Sequence, residues 1–158
     1  MSNSRVLIFG TGEGYNKVME LLDFSMVTIE EIIDNNPVKI GQKLNGKEVK
    51  SPESICKLNY DYIVIASQFY KEISDQLYKL GVDENRILSF YEITPIFKQK
   101  WMCLFNKSLL RNYLIDNGYL ENIMSEISLI IKTNDFKDTK DIISGFEQLF
   151  PGDNRTFF

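Results

Sequence analysis

The sequence predicts an α/β fold: a small parallel sheet of about five strands flanked by helices, followed by an α-helical C-terminal region. Three observations predict it. Over residues 1–91, short apolar runs alternate with amphipathic stretches, the pattern of βαβ units with right-handed crossovers. The first apolar run ends in a glycine-rich turn that leads straight into a helix. After Tyr91 the apolar residues recur at helical spacing instead. The expected division is therefore 1–91 and 92–158.

The elements follow in order. Val6-Leu7-Ile8-Phe9 reads as a buried strand stopped by Gly10, and Val18, Leu21 and Leu22 predict a short helix from Asn16 to Asp23. Thr28 to Ile33 is the next strand, closed by the turn formers Asp34-Asn35-Asn36-Pro37. Residues 38–50 form a loop with a turn at Asn45-Gly46 and a short strand after it. Ser51-Pro52-Glu53-Ser54 carries three helix-start signals: a capping residue, proline at the first position and an early acid. Tyr62-Ile63-Val64-Ile65-Ala66 is the most continuous apolar run and predicts a central parallel strand. Phe69 to Leu80 is a helix ended by Gly81, and Arg86 to Phe90 is the last strand. Leu104, Leu109, Leu110, Leu114, Ile123, Ile127, Ile130 and Ile131 predict three or four helices in the remainder. Breaks are expected near Asn106, Asn117-Gly118, Thr133-Asn134-Asp135 and Pro151-Gly152. The aromatics Phe97, Trp101, Phe105, Tyr113, Tyr119, Phe136, Phe146 and Phe150 are read as packing residues.

Composition narrows the chemistry. The chain has 158 residues, 18 basic against 22 acidic side chains and a net charge of −4, so it lacks the basic footprint of a nucleic-acid binder. It contains no histidine, which excludes Ser-His-Asp and Cys-His catalysis and His-ligated metals. Cys56 and Cys103 are too few for a disulfide framework or a zinc site and are read as buried or half-buried apolar residues. The N-terminus lacks a signal-peptide apolar core, and no window approaches the roughly 18 apolar residues of a membrane span. The expected compartment is the cytoplasm.

Gly10-Thr11-Gly12-Glu13-Gly14-Tyr15 is the most informative segment. Glycines let the backbone turn tightly and come close to a ligand, and free N–H groups at a helix start point at an anion such as pyrophosphate. Asp34, about 22 residues beyond Gly12 at the end of the second strand, stands where a carboxylate accepts from ribose hydroxyls. The third glycine of G-x-G-x-x-G falls on Tyr15, with Gly14 one residue early. A tyrosine there either tilts the first helix or fills space that a pyrophosphate would use. Read as G-x-G-x-G, the same residues match the first motif of S-adenosylmethionine methyltransferases. Against that stand the missing acid on the first strand and too few strands. Ser67 and Gln68, at the carboxyl end of the fourth strand, face the expected ligand crevice, although Ser67 equally serves to cap the following helix. Lys39 and Lys43 are within reach of a phosphate or are solvated loop lysines. No Tyr-x-x-x-Lys pair, catalytic residue or metal cluster is found.

These segments, with Gly41, Gly46, Ser51-Pro52, Tyr60 to Ser67 and Gly81-Val82-Asp83-Glu84-Asn85-Arg86-Ile87, resemble the small Rossmann-like domain of bacterial surface-polysaccharide proteins. That module is attached to sugar-processing methyltransferases, glycosyltransferases and nucleotide-sugar dehydratases. The resemblance spans residues 5–91 and implies a nucleotide or nucleotide-sugar site. The candidate binding residues are Gly10, Thr11, Gly12, Glu13, Gly14, Tyr15, Asp34, Asn35, Ser67 and Gln68. The leading expectation is a non-catalytic module binding a nucleotide or nucleotide-activated sugar in bacterial surface-glycan assembly, with NAD(P) or a nucleotide-sugar as ligand. One alternative is a small transferase or NAD-linked enzyme completed by a partner. The other is an interaction module whose residues 92–158 dock a second copy or a partner enzyme, its nucleotide site degenerate.

Overall fold

A computed structural model describes residues 3–133 and 136–151. The chain divides into two compact units, Met1–Glu92 and Ile93–Phe158. The first unit runs β1 (Ser4–Phe9), α1 (Glu13–Leu21), β2 (Val27–Ile33), β3 (Lys43–Leu44), β4 (Lys47–Lys50), β5 (Tyr62–Ile65), α2 (Tyr70–Lys79) and β6 (Ile87–Ser89). Short 3-10 helices lie at Pro52–Lys57, Glu84–Arg86 and Phe90–Glu92.

The strands form one sheet in the order β3-β4-β2-β1-β5-β6. All pairings are parallel except β3 with β4. β3 adds one short strand to the five expected. Asn45 (φ 52) and Gly46 (φ 79) both adopt the left-handed conformation of a tight hairpin turn, folding Lys43-Leu44 back on β4. The middle of the sheet is apolar on both faces: Val6, Leu7, Ile8, Ile63, Val64 and Ile65 are wholly buried. In β2 the register slips between Val6, which pairs with Ile29, and Leu7, which pairs with Glu31. That bulge absorbs Glu30 and brings Ile32 and Ile33 beside Ile8 and Phe9.

From β1 the chain moves outward to β2 and β4, then returns to β5 on the other side of β1. This reversal makes the carboxyl ends of β1 and β5 the topological switch point, where open parallel sheets take ligands.

Several boundaries differ from the sequence expectation. α1 begins at Glu13 rather than Asn16, because Gly12 is its cap residue and Gly14 and Tyr15 in its first turn are already buried. The Ser51-Pro52 signal starts a 3-10 helix; the Ser51 side chain makes no capping bond, and the Ser54 hydroxyl instead donates to the Ser51 carbonyl at 2.6 Å. α2 ends as expected at Gly81 (φ +87), where the N–H groups of Gly81 and Val82 donate to the carbonyls of Tyr78 and Leu77, each at 3.0 Å. Cys56 is exposed, against the expectation of a buried thiol, and Cys103 is half-buried.

The second unit contains α3 (Gln99–Met102), α4 (Lys107–Asp116), α5 (Leu120–Thr133) and α6 (Phe136–Leu149), with a 3-10 helix at Thr94–Phe97. Asn106 caps α4 by accepting the Leu109 N–H at 3.0 Å, and Gly118 (φ 71) follows its end. Asn134-Asp135 and Gly152, expected at breaks, lie outside the described residues, as does the Phe136 side chain. Phe97, Trp101, Phe105, Phe146 and Phe150 are buried and Tyr113 and Tyr119 half-buried, so these aromatics do pack. Gly145 permits the closest approach: a Cβ there would lie 1.9 Å from the Phe97 carbonyl oxygen. Among the described residues no helix is long and apolar enough to cross a membrane.

Candidate functional site

Strand register builds the site. Phe9 pairs with Ile33 on one side and Ile65 on the other, so the residues that follow (Gly10, Asp34 and Ala66) emerge side by side. Two bonds fix that alignment: the Gly10 N–H donates to the Ile33 carbonyl and the Ala66 N–H to the Phe9 carbonyl, each at 2.8 Å. A cleft of about 600 Å³ opens above these strand ends, within the usual range for small-molecule sites. Its lining includes Gly10 to Gly14, Asp34, Asn35 and Ala66 to Phe69, with Phe9 beneath and Tyr91 from the end of β6.

The three glycines have three different reasons to be glycine. Gly10 has φ +115, a conformation that L side chains rarely adopt. Gly14 lies against the sheet: a Cβ there would stand 2.1 Å from the Ala66 carbonyl oxygen and 2.9 Å from Tyr91 Cε2. It therefore does the close helix-to-strand packing that the third glycine of G-x-G-x-x-G does one residue later. A Cβ on Gly12 would meet nothing within 4 Å, so its side faces open space at the first turn of α1. In that turn the Tyr15 N–H donates to the Gly12 carbonyl at 3.1 Å, while the N–H groups of Glu13 and Gly14 have no helical carbonyl behind them and are the natural anion donors.

Tyr15 is not in the cleft. Its ring is buried at 2% exposure, and its hydroxyl accepts from the Asn45 amide at 2.7 Å. It pins the β3–β4 hairpin to α1 and is not among the residues that line the cleft. Burial pushes the phenol above its ordinary value, and the Asn45 bond opposes that only in part.

Asp34 is held at both oxygens. Thr11 donates its hydroxyl to Oδ2 at 2.6 Å, and the Asn36 N–H donates to Oδ1 at 2.8 Å. Each carboxylate oxygen keeps a further lone pair, so an oriented acceptor remains for a sugar hydroxyl. Asn35 instead exchanges two amide bonds with Gln76 of α2, both 2.9 Å, which brace the end of β2 against that helix. Ser67 Oγ accepts the Phe69 N–H at 3.1 Å, a side-chain turn that leads into α2. The cap residue of that helix is Phe69, so Ser67 does not cap it as one sequence expectation had it, and its own O–H stays available to the cleft. Gln68 is exposed at the rim, and Glu13 projects a carboxylate from the start of α1. Lys39 and Lys43 are exposed and are not among the lining residues.

The lining thus combines backbone donors, one oriented carboxylate, the hydroxyl residues Thr11, Ser67 and Tyr91 and three aromatic rings, with no basic side chain. Among the described residues no cluster of three or more His, Cys, Asp or Glu could hold a metal ion. Sequence reasoning missed Phe69 and Tyr91. Their only signal is positional: Phe69 follows the carboxyl end of β5 and Tyr91 that of β6, the next strand in the sheet.

The sequence model of the family described as C2185-like, N-terminal matches residues 2–88. No curated protein matches the chain. Among solved structures it is similar to RSP, a Rex-family repressor, at 20% identity and a TM-score of 0.41, covering 51% of this chain and 43% of that one. It is similar also to UDP-D-quinovosamine 4-dehydrogenase from Vibrio fischeri, at 22% identity and a TM-score of 0.41, covering 52% of this chain and 75% of that one. The chain therefore spans less than half the length of the repressor.

Proposed function

The chain belongs to the C2185-like, N-terminal family, and on that footing we propose that its first unit is a non-catalytic binding module for a nucleotide or nucleotide-activated sugar. The glycine turn and the first N–H groups of α1 receive the diphosphate. Asp34 receives the ribose hydroxyls, and Ser67 and Gln68 line the opposite wall. The observation that carries this reading is Asp34: a carboxylate oriented by Thr11 and Asn36 at the switch point, beside a Gly12 whose side is open. The setting proposed with it is bacterial surface-glycan assembly, with residues 92–158 docking a partner enzyme or a second copy.

Calorimetric titration of NAD, UDP-glucose and inorganic pyrophosphate into wild type and Asp34→Ala tests the assignment. Losing hydrogen bonds to a charged acceptor is expected to weaken the nucleotides by about 10- to 100-fold. Pyrophosphate should bind the variant at least as well as wild type. Equal loss for all three would remove the ribose role.

A further inference from the structure

We propose that Phe69 is the stacking platform of the cleft, its ring taking the flat face of the ligand's base. The inference rests on the nucleotide reading above and adds to it the residue that recognises the ring. Phe69 is 71% exposed, and it lies in the cleft wall, where its ring face is open to a ligand. The other strongly exposed large hydrophobics, such as Val38, Leu129 and Phe24, are not among the lining residues.

The ring is presented by fixed backbone. The Phe69 N–H donates to Ser67 Oγ, and the Phe69 carbonyl accepts the Ile73 N–H, each at 3.1 Å. The helix that follows is braced toward the ribose end through the Asn35–Gln76 amide pair. The other two aromatics in the lining are already engaged: Phe9 is 1% exposed in the sheet, and Tyr91 lies over Gly14 and meets Phe90 edge-on, with ring centroids 5.3 Å apart. With no basic side chain in the lining, a planar base finds its largest available contact on Phe69. Stacking of this kind accepts every base, since each has a π-face. The class of ligand is therefore a nucleotide carrying an aromatic base, in preference to a sugar phosphate without one.

The test uses the full chain with Phe69→Ala and Phe69→Trp, and NAD and UDP-glucose as probes. Because the ring is exposed, both variants should melt like wild type when free. Phe69→Ala is expected to weaken whichever probe binds by about 5- to 100-fold. Phe69→Trp should restore the affinity, and its added indole emission should be quenched by the bound base. The native Trp101, 3% exposed, supplies a constant background. If Phe69→Ala binds the probe as tightly as wild type, the stacking role is wrong and the nucleotide reading stands. If neither probe binds wild type, both fall.

Discussion

Gly14→Ala probes the contact that closes α1 onto the sheet. The new Cβ would lie 2.1 Å from the Ala66 carbonyl oxygen and 2.8 Å from its carbon. Real contacts essentially never fall below 3.0 Å, so the first turn of α1 must retreat by close to an ångström. The obstacle is main chain, and Tyr15 and Val18 on the same helix are buried, so little can give way. Overpacking of this kind destabilises by about 1–3 kcal/mol, and a backbone obstacle argues for the upper end. Alanine returns about 1 kcal/mol of helix propensity. The expected net loss is about 2 kcal/mol. Urea unfolding followed by far-UV circular dichroism reads this as a midpoint about 1 M lower at unchanged slope. Gly12→Ala is the control, since nothing lies within 4 Å of its Cβ and its φ of −89 is not in the left-handed region that favours glycine. It should stay within about 0.5 kcal/mol of wild type. Helix propensity alone demands that Gly14→Ala stabilise the protein; that outcome would refute the packing described here.

Three further expectations follow from the same contacts. Glu13→Gln removes a carboxylate beside the diphosphate position and should tighten NAD or UDP-glucose about 2- to 5-fold at low salt, less at high salt; titrations at two ionic strengths check this. NADP should bind at least roughly tenfold more weakly than NAD, because its 2′-phosphate would meet Asp34 with no basic side chain in the lining; equal affinities would contradict the ribose placement. At the opposite end of the sheet the Arg5 N–H donates to Asp61 Oδ2 at 2.7 Å, and that bond, aided by the Arg5 guanidinium, holds the Asp61 carboxyl below the ordinary aspartate value. A lowered folded pKa contributes stability above the unfolded value and loses it as pH falls through the folded one. The Asp61 side chain is 42% exposed, so solvent screens the charge. Asp61→Asn should thus lower stability by about 0.5 kcal/mol at pH 7, and the difference should vanish in acid, whereas a gap independent of pH would rule out the charge.

Much of the first unit was legible because its signals are local. Val6 to Phe9 and Tyr62 to Ile65 are apolar on both faces, which only a buried parallel strand requires. Asn45-Gly46 and Gly81 sit where positive φ is needed, and the sequence marks both. The cleft was legible too, since a glycine turn after one strand and an acid after the next must emerge together once those strands pair. What escaped depends on three-dimensional register. Glu30-Glu31 conceals a bulge, and a two-residue strand such as β3 has no periodicity to read. Gly14 looked displaced, yet it faces Ala66 and performs the close packing, while Tyr15 turns away to Asn45. Phe69 looked like the first apolar residue of a helix, and only the fold shows that it faces the cleft. Cys56 was misread because its burial depends on what covers a 3-10 helix rather than on its own apolar character.

The most direct test of the binding reading is a thermal-shift measurement on wild type and Gly12→Val. The panel is NAD, NADP, S-adenosylmethionine, acetyl-CoA and UDP-, GDP-, CDP- and dTDP-sugars. A ligand that binds only the folded state stabilises it by about 2.7 kcal/mol at a hundred times its dissociation constant, a rise of several degrees for a chain this size. That rise is expected for NAD or a nucleotide-sugar with wild type and should be lost in Gly12→Val, whose side chain fills the approach to the glycine turn without meeting the protein at Cβ. No rise with any nucleotide, or an equal rise in the variant, would contradict the binding reading.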